Sequence, residues 1–201
     1  MLVAENLGGV LITSQHNFSW LTAGGRNGID LSREAGAGAL LVRRDGKRFV
    51  LANRIEMPRL LAEEISEECF EPVEFAWEEE KSCSSFLVDR ALTLLEKGTA
   101  IGSDVPLGAE ARTVERALAR FRYQLTASEI DRYRSLGRDA GEIIGRFVRS
   151  LKPGESEKEI ARRASDVLAA RGMRAIVTLV AARNEKLRSV NPLLRPSSTS
   201  T

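Results

Sequence analysis

The stretch ALLVRRDGKRFVLA, residues 39–52, places two apolar runs on either side of an Asp-Gly turn. An Asp-Gly pair readily adopts the positive backbone angles that a tight hairpin turn requires. The stretch therefore predicts an antiparallel pair of strands at residues 39–43 and 49–52. Because a hairpin is antiparallel, a sheet that contains it together with helical crossovers is mixed rather than purely parallel.

Apolar runs alternate with helical patterns through the first 125 residues. Short apolar runs predict further strands at residues 9–13, 18–22, 69–76, 100–102 and 121–125. Apolar spacing of three and four predicts helices at residues 54–65, 79–97 and 108–120. This alternation is typical of α/β domains, so the sequence predicts a mixed β-sheet flanked by helices.

The pattern changes at Thr126, where we predict a boundary between domains 1–125 and 126–201. Thr126 with Glu129, and later Ser156 with Glu159, form capping boxes that predict two helix starts. The apolar run at residues 175–182 predicts a strand. The first helix carries a stripe that we expect to be buried, formed by Ile130, Tyr133, Gly137, Ala140, Ile144, Phe147 and Leu151. Beside it lie three glycines four residues apart, which predict the close approach of another element: Gly137, Gly141 and Gly145.

Composition excludes several classes of protein. The 201 residues are 43% apolar and 29% charged, which is typical of a globular domain with a real core. Two cysteines and one histidine exclude a disulfide-dense scaffold and a Cys/His zinc site. No apolar run is long enough for a membrane span and no signal peptide begins the sequence, so we expect a cytoplasmic protein without a membrane partner.

Charge is unevenly distributed along the chain. The formal net charge is only +2, which gives no reason to expect a nucleic-acid partner. Residues 1–111 nevertheless have a charge of −7 and residues 112–201 a charge of +9. Solvated helix faces of opposite sign explain this most simply, and two parts that meet different neighbours are the alternative.

Few side chains offer catalytic chemistry. His16 lies in a polar turn without a Ser or Cys motif, so we interpret it as a surface or capping group. Cys69 and Cys83 are interpreted as ordinary thiols because nothing near them in sequence lowers a thiol pKa. The loop at residues 24–28 lacks phosphate-binding spacing and is either a substrate-facing loop or an ordinary turn. We predict no catalytic residue, and leave Trp20 open between core and pocket lining.

Metal binding is tested by counting carboxylates. A dinuclear site needs several converging carboxylates, usually with a histidine. Beyond Asp166 there is no aspartate, and beyond Glu159 the one glutamate is Glu185. We therefore predict no metal site and no cofactor in this chain.

Several segments together resemble the Xaa-Pro aminopeptidase, prolidase and creatinase family. They are LITSQHNFSWLTAGG (11–25), AGALLVRRDGKRFVLANRIEMPRL (37–60), LTASEIDRYRSLGRDAGEIIGRFV (125–148) and LKPGESEKEIA (151–161). The resemblance covers roughly residues 5–182, and its most specific part runs from Glu129 to Glu157. It implies a creatinase-like, ribonuclease H-like N-terminal domain followed by an incomplete α+β segment, the start of a pita-bread metallopeptidase domain.

The resemblance also implies what this chain lacks. The family binds two divalent metal ions through two aspartates, a histidine and two glutamates, all downstream of the matching segments. Asn191 stands where the family has a further, substrate-binding histidine, and asparagine cannot shuttle a proton. We therefore expect an inactive N-terminal portion of a prolidase-like peptidase. The metal ions and the peptide substrate are expected only for a full-length relative.

For this chain itself, we expect a role in dimerisation and in closing the substrate cleft. Trp20, Arg26 and Asn27 are the predicted cleft-facing residues. An incomplete second domain exposes apolar surface, so we expect a homodimer. Truncation, a frame change near residue 183 or a cloning boundary would each explain the sequence.

Two other functions remain open at this stage. One is a non-catalytic protein-binding module whose positive half contacts an acidic partner. The other is a fragment of a creatinase-like amidinohydrolase.

Overall fold

A computed structural model describes residues 1–65 and 69–181. Its strands form a six-stranded mixed sheet in the order β4-β3-β2-β1-β5-β6, in which β2 is antiparallel to both neighbours and the remaining pairs are parallel. The strands are β1 (Leu7–Ser14), β2 (Ala35–Arg43), β3 (Arg48–Asn53), β4 (Glu71–Phe75), β5 (Ala100–Ser103) and β6 (Ala111–Thr113). The predicted α/β class and mixed sheet are confirmed.

The hairpin forms as the Asp-Gly turn predicts. Leu41 lies opposite Phe49, and the Arg43 N–H donates to the Lys47 carbonyl at 2.9 Å. Gly46 has a φ of +89°, a left-handed conformation that glycine adopts without steric cost. The sheet order places this hairpin on one side of β1 and the parallel strand β5 on the other.

Both faces of the sheet are buried. Val10 and Ile12 of β1 belong to one apolar cluster with Phe18, whereas Leu11 belongs to the cluster on the opposite face. Alternate residues of a strand point to opposite faces, so a strand covered on both sides must be apolar throughout. This explains why the central strands appear in the sequence as continuous apolar runs.

Along the chain, the helices lie between and after the strands of the sheet. They are α1 (Gln15–Leu21), α2 (Met57–Arg59), α3 (Trp77–Ser82), α4 (Phe86–Leu92), α5 (Glu115–Arg122), α6 (Ala127–Arg149) and α7 (Glu157–Ala169). Leu60–Glu64 continues α2 as a π-helical turn, so the helix predicted at residues 54–65 is present from Met57 in two parts. None of the helices in these described residues combines the length and the apolar character needed to cross a bilayer.

The strand predicted at residues 18–22 is wrong, because α1 occupies this segment. Ser14 is extended, with φ −68° and ψ 144°, and its Oγ accepts a hydrogen bond from the Asn17 N–H. This N-cap starts a helix immediately after β1 and outweighs the strand preference of Phe18 and Trp20.

Three predictions between residues 79 and 125 also need correction. The helix predicted at 79–97 is broken into α3 and α4, because Cys83 is extended among serines that favour caps and turns. The helix predicted at 108–120 begins only at Glu115, since Ala111–Thr113 pairs with β5 as an edge strand. The strand predicted at 121–125 is absent, because α5 continues to Arg122.

Contacts divide the chain into an N-terminal unit, Met1–Gln124, and a C-terminal unit that begins at Leu125. Both predicted capping boxes of the C-terminal unit are present, at Thr126 and at Ser156. The predicted buried stripe of α6 is only partly buried: Phe147 is buried, whereas Tyr133 and Gly137 are exposed.

The predicted strand at residues 175–182 is wrong across residues 175–181, where the chain is irregular. Ile176, Val177 and Leu179 are exposed. An apolar run becomes a strand only beside a partner strand that accepts its backbone hydrogen bonds, and no described residue pairs with this segment.

Candidate functional site

Polar residues gather where three neighbouring parallel strands end. Thr13 and Ser14 close β1, Asp104 directly follows β5, and Glu115 lies just after β6. In open α/β sheets, ligands bind outside the carboxyl ends of the strands. This edge of the sheet is therefore the first place to look for function.

Asp104 is the centre of this group and is almost completely buried, with 3% of its surface exposed. Oδ1 accepts hydrogen bonds from the Thr13 N–H at 2.9 Å and the Thr13 hydroxyl at 3.1 Å. Oδ2 accepts from the Ser14 N–H at 2.9 Å and the Ser14 hydroxyl at 2.6 Å. Four donors compensate the cost of burying the carboxylate and fix the start of α1.

Asn17 connects this buried carboxylate to the surface. Its Nδ2 donates to Asp104 Oδ2 at 3.2 Å and to Glu115 Oε2 at 2.9 Å. Arg122 donates to Asn17 Oδ1 and also pairs with Glu115. The side chain of Asn17 is fully buried, and both of its polar atoms have partners within the protein. The network thus holds α5 against the start of α1.

Glu115 and His16 form the exposed margin of the network. Burial of Glu115 raises its pKa, but the hydrogen bonds from Arg122 and Asn17 outweigh burial and leave the pKa below its usual value. His16 Nε2 lies 3.9 Å from Glu115 Oε1, and about half of the His16 side chain is exposed. The nearby Ser14 hydroxyl caps α1 and donates to Asp104, so it is not a free nucleophile. We therefore interpret the network as a structural anchor.

The three predicted cleft residues lie in different environments. Trp20 is half-buried on α1 and lines an apolar groove. The Arg26 side chain is 83% exposed, whereas Asn27 is fully buried. Asn27 Nδ2 donates to the carbonyls of Gly38 at 2.6 Å and Thr13 at 3.3 Å, so it braces the sheet from inside. A cleft-facing role stays a prediction, and Asn191 lies outside the described residues.

Hydrogen bonds fix the base of the loop at residues 24–28, which contains three glycines. The Gly25 N–H donates to the Thr22 hydroxyl at 3.0 Å, and the Arg26 N–H donates to Glu64 Oε2 at 2.8 Å. Arg59 Nη1 donates to the Arg26 carbonyl at 3.2 Å. The backbone of Arg26 is thus fixed against the π-helical turn, while its side chain is largely exposed and its Nε lies 4.0 Å from Glu64 Oε2.

The two thiols are both free and exposed. Our expectation that nothing lowers the thiol pKa of Cys83 is wrong. The Ser85 hydroxyl lies 3.0 Å from Cys83 Sγ, and hydrogen bonding with the Ser85 side chain and backbone lowers the pKa of the thiol. Ser85 also donates to Asp89 at 2.7 Å, so this contact belongs to the N-terminal turn of α4.

Sequence reasoning missed the network residues Asn17, Asp104, Glu115 and Arg122. A weak signal was present, because a polar pair follows each of two apolar strands: Thr13-Ser14 after β1 and Ser103-Asp104 at the end of β5. Nothing in the local pattern shows that these two pairs meet.

Solved prolidases and dipeptidases share this fold. The prolidase from Thermococcus sibiricus superposes with a TM-score of 0.64 at 18% identity, over 85% of this chain and 47% of its own. The dipeptidase PepE from Mycobacterium ulcerans gives 0.61 at 20% identity, over 84% and 46%. The prolidase from Pyrococcus furiosus gives 0.62 at 15% identity, over 84% and 50%.

This chain thus resembles the N-terminal region of prolidases in structure and spans about half the length of the chains that it matches. No family model matches the sequence, and the comparison with curated proteins found no relative. At these identities the likeness establishes the fold and leaves the activity to be proposed.

The residues described here do not fit a metal centre of the kind that the resemblance implies for full-length peptidases. Within residues 1–65 and 69–181, no three His, Cys, Asp or Glu side chains converge on one point. Asp104 and Glu115 are both connected to Asn17, but protein donors already occupy them.

Proposed function

We propose that this chain is the N-terminal portion of a prolidase-like hydrolase, and that it contributes cleft closure and dimerisation rather than catalysis. The observation that carries the proposal is the shared fold over 84–85% of this chain and about half of each prolidase. The parent activity would be hydrolysis of an Xaa-Pro peptide bond. Two divalent metal ions would belong to a full-length relative.

The loop around Arg26 supports a role at a substrate cleft. An exposed guanidinium can bind a carboxylate through two parallel hydrogen bonds, and because the backbone is fixed, binding has to order only the side chain. Such a group suits the free carboxyl end of a dipeptide. Trp20, on the preceding helix, would supply an apolar contact. The buried Asn27 would act indirectly, by holding the loop to β1 and β2 through its two carbonyl contacts.

Dimerisation is supported by apolar side chains that the described units leave uncovered. In the N-terminal unit, Ile29, Leu31 and Phe121 are more than half exposed. Large apolar side chains that cluster on the surface of a folded protein commonly mark an interface. We propose that a second copy covers Ile29 and Leu31, which lie two residues apart in the loop before β2.

A second candidate, a non-catalytic protein-binding module, is favoured by one feature of the C-terminal unit. Residues 112–201, which include this unit, have a formal charge of +9, and α6 exposes Tyr133 and Leu136. A positively charged region with exposed apolar side chains suits an acidic, amphipathic partner.

The inactivity is tested with the purified chain and an Xaa-Pro dipeptide in the presence of Mn²⁺ or Co²⁺. We expect no hydrolysis above background, while the Pyrococcus furiosus prolidase serves as the active control. Hydrolysis that EDTA abolishes would overturn the proposal that this chain is inactive by itself.

Dimerisation is tested separately by light scattering at micromolar concentration. We expect twice the monomer mass, and a monomer at all concentrations would contradict the proposed interface. Salt-dependent capture by an acidic peptide, but not by its neutral counterpart, would favour the binding module instead.

A further inference from the structure

Asn27 and Gly28 form the one Asn-Gly pair in the sequence. In such a pair the backbone nitrogen of the glycine can attack the side-chain carbonyl carbon of the asparagine, because glycine has no Cβ to hinder the approach. The attack forms a cyclic imide and releases ammonia, and water then opens the ring to aspartate or isoaspartate. Asparagine and water thus become an acidic residue and ammonia, without an enzyme or a cofactor.

The folded loop protects the Asn27 amide from this reaction. Asn27 is fully buried, and its Nδ2 donates to the carbonyls of Gly38 at 2.6 Å and Thr13 at 3.3 Å. A Cβ on Gly36 would lie 2.2 Å from Asn27 Cγ and 2.4 Å from both Nδ2 and Oδ1, so the backbone of Gly36 covers one face of the amide. Attack on a carbonyl carbon comes from above or below the amide plane, and ring opening needs water. Burial therefore disfavours both steps.

Packing explains why a glycine follows Asn27. A Cβ on Gly28 would lie 2.1 Å from Gln15 Oε1. The Gln15 amide is itself held in place, because its Nε2 donates to the carbonyls of Asp30 at 3.0 Å and Arg33 at 2.7 Å. The fold therefore favours both members of the reactive pair, the asparagine through its bonds to the sheet and the glycine through the lack of space beside Gln15.

The product of deamidation does not fit the closed loop. None of the described residues donates a hydrogen bond to Asn27 Oδ1. The oxygen that replaces Nδ2 would face the carbonyl oxygens of Gly38 and Thr13, which are acceptors as well. Burying a carboxylate without a donor is strongly unfavourable. A loop that has reacted therefore stays open.

We propose that the Asn27–Gly28 bond is a site of spontaneous deamidation, at which a transient opening of the loop at residues 24–28 becomes permanent. The closed loop protects the amide, the open loop lets it react, and the carboxylate that results prevents reclosure. Because this loop carries the exposed Arg26, the reaction also frees that guanidinium from its fixed backbone. The proposal rests on contacts within the N-terminal unit and does not depend on the proposed peptidase role.

Peptide mapping by mass spectrometry measures the reaction directly. The purified full chain is incubated at mildly alkaline pH, with and without enough urea to unfold it, and the deamidated fraction at Asn27 is followed over time. We expect the native chain to react about a hundredfold more slowly, because the closed loop must first break two hydrogen bonds and expose a buried amide. Asn53 is the internal reference, since the side chain of Arg54 hinders attack there and the rate should stay low in both conditions.

Two neighbouring glutamates test whether opening of the loop controls the rate. Glu64 Oε2 accepts from the Arg26 N–H at 2.8 Å, so Glu64→Ala should raise the native rate at Asn27 about tenfold, because a hydrogen bond to a charged group contributes about that factor. Glu63→Ala, at an exposed side chain of the same π-helical turn, is the matched control and should leave the native rate unchanged. In urea, both variants should react at the wild-type rate.

Asn27→Asp supplies the normally linked product in uniform form. We expect the amide hydrogens of Gly25 and Arg26 to exchange faster in this variant than in the wild type, because the loop no longer closes. If the variant does not fold, the same measurement is made on wild-type protein in which the product has formed after folding.

Four results would overturn the proposal. Equal rates at Asn27 in the native and the unfolded chain would show that the fold does not protect the amide. No reaction in urea would show that the pair is not reactive. Equal acceleration by Glu63→Ala and Glu64→Ala would remove the role of the loop, and wild-type amide exchange in the modified protein would show that the closed loop accepts the carboxylate.

Discussion

The N-terminal and C-terminal units differ in how they are stabilised. The N-terminal unit buries both faces of its sheet and encloses a hydrogen-bonded carboxylate, Asp104. In the C-terminal unit, Ile143 and Phe147 are the buried apolar residues of the described helices. Two helices cannot surround a core, because each needs another layer to cover its apolar stripe.

Local interactions therefore contribute a larger share of the stability of the C-terminal unit. Its capping boxes pair Thr126 with Glu129 and Ser156 with Glu159. Arg163 of α7 lies over the ring of Phe147 at 5.4 Å and donates to the Ser150 hydroxyl, so it joins the two helices. The comparison shows that helices can be well defined by their ends while the tertiary core around them remains sparse.

The largest effect that separates the two units is expected at Asp104. Asp104→Asn replaces one carboxylate oxygen with an NH2 group that faces two or three of the five donors around Asp104, so we expect the free energy of unfolding to fall by about 3 kcal/mol. Asp139→Asn, at an exposed aspartate of α6, is the matched control and is expected to change it by less than about 0.5 kcal/mol. Chemical denaturation measures both, and similar losses would contradict the central role of the network.

Two glycine-to-alanine substitutions should change the stability in opposite directions. A Cβ on Gly25 would lie 2.2 Å from the Glu64 carbonyl oxygen, so Gly25→Ala should destabilise the N-terminal unit by about 1–3 kcal/mol. A Cβ on Gly137 meets no described atom within 4 Å, so Gly137→Ala should stabilise α6 by about 0.5–1 kcal/mol.

Thermal unfolding and amide hydrogen exchange in α6 measure this pair. A loss of stability in Gly137→Ala would mean that another element packs on the glycine face, which is the close approach that the glycine spacing predicts.

The smallest effect concerns pH. The pKa of Glu115 is lowered in the folded state, so its stabilising contribution is present above the unfolded value of about 4.5 and is lost as the pH falls through the folded value. The stability difference between the wild type and Glu115→Gln should therefore shrink between pH 6 and pH 3. The difference at pH 6 should be at most about 1 kcal/mol, because the side chain is partly exposed.

Glu110→Gln, at an exposed carboxylate just before β6, is the control for this pH series. We expect Glu110→Gln to leave the stability at pH 6 almost unchanged, because none of the ion pairs found among the described residues includes its carboxylate. A difference for Glu115→Gln that stays constant between pH 6 and pH 3 would show that Arg122 and Asn17 do not favour the ionised carboxylate.

Local signals determined much of this protein. The Asp-Gly turn, the apolar strands around it and the two capping boxes were all predicted, because each depends on residues within a few positions of one another. The resemblance likewise rested on contiguous segments, and the predicted mixed α/β sheet is present.

Tertiary contacts decided the rest. Thr13 meets Asp104 across 91 positions, and no periodic pattern connects residues so far apart. The helix at Phe18, the edge strand at Ala111–Thr113 and the groove beside Trp20 likewise depend on neighbours supplied by the folded sheet. Backbone and side-chain groups satisfy their hydrogen bonds wherever the fold brings a partner, and only the assembled structure shows where that partner lies.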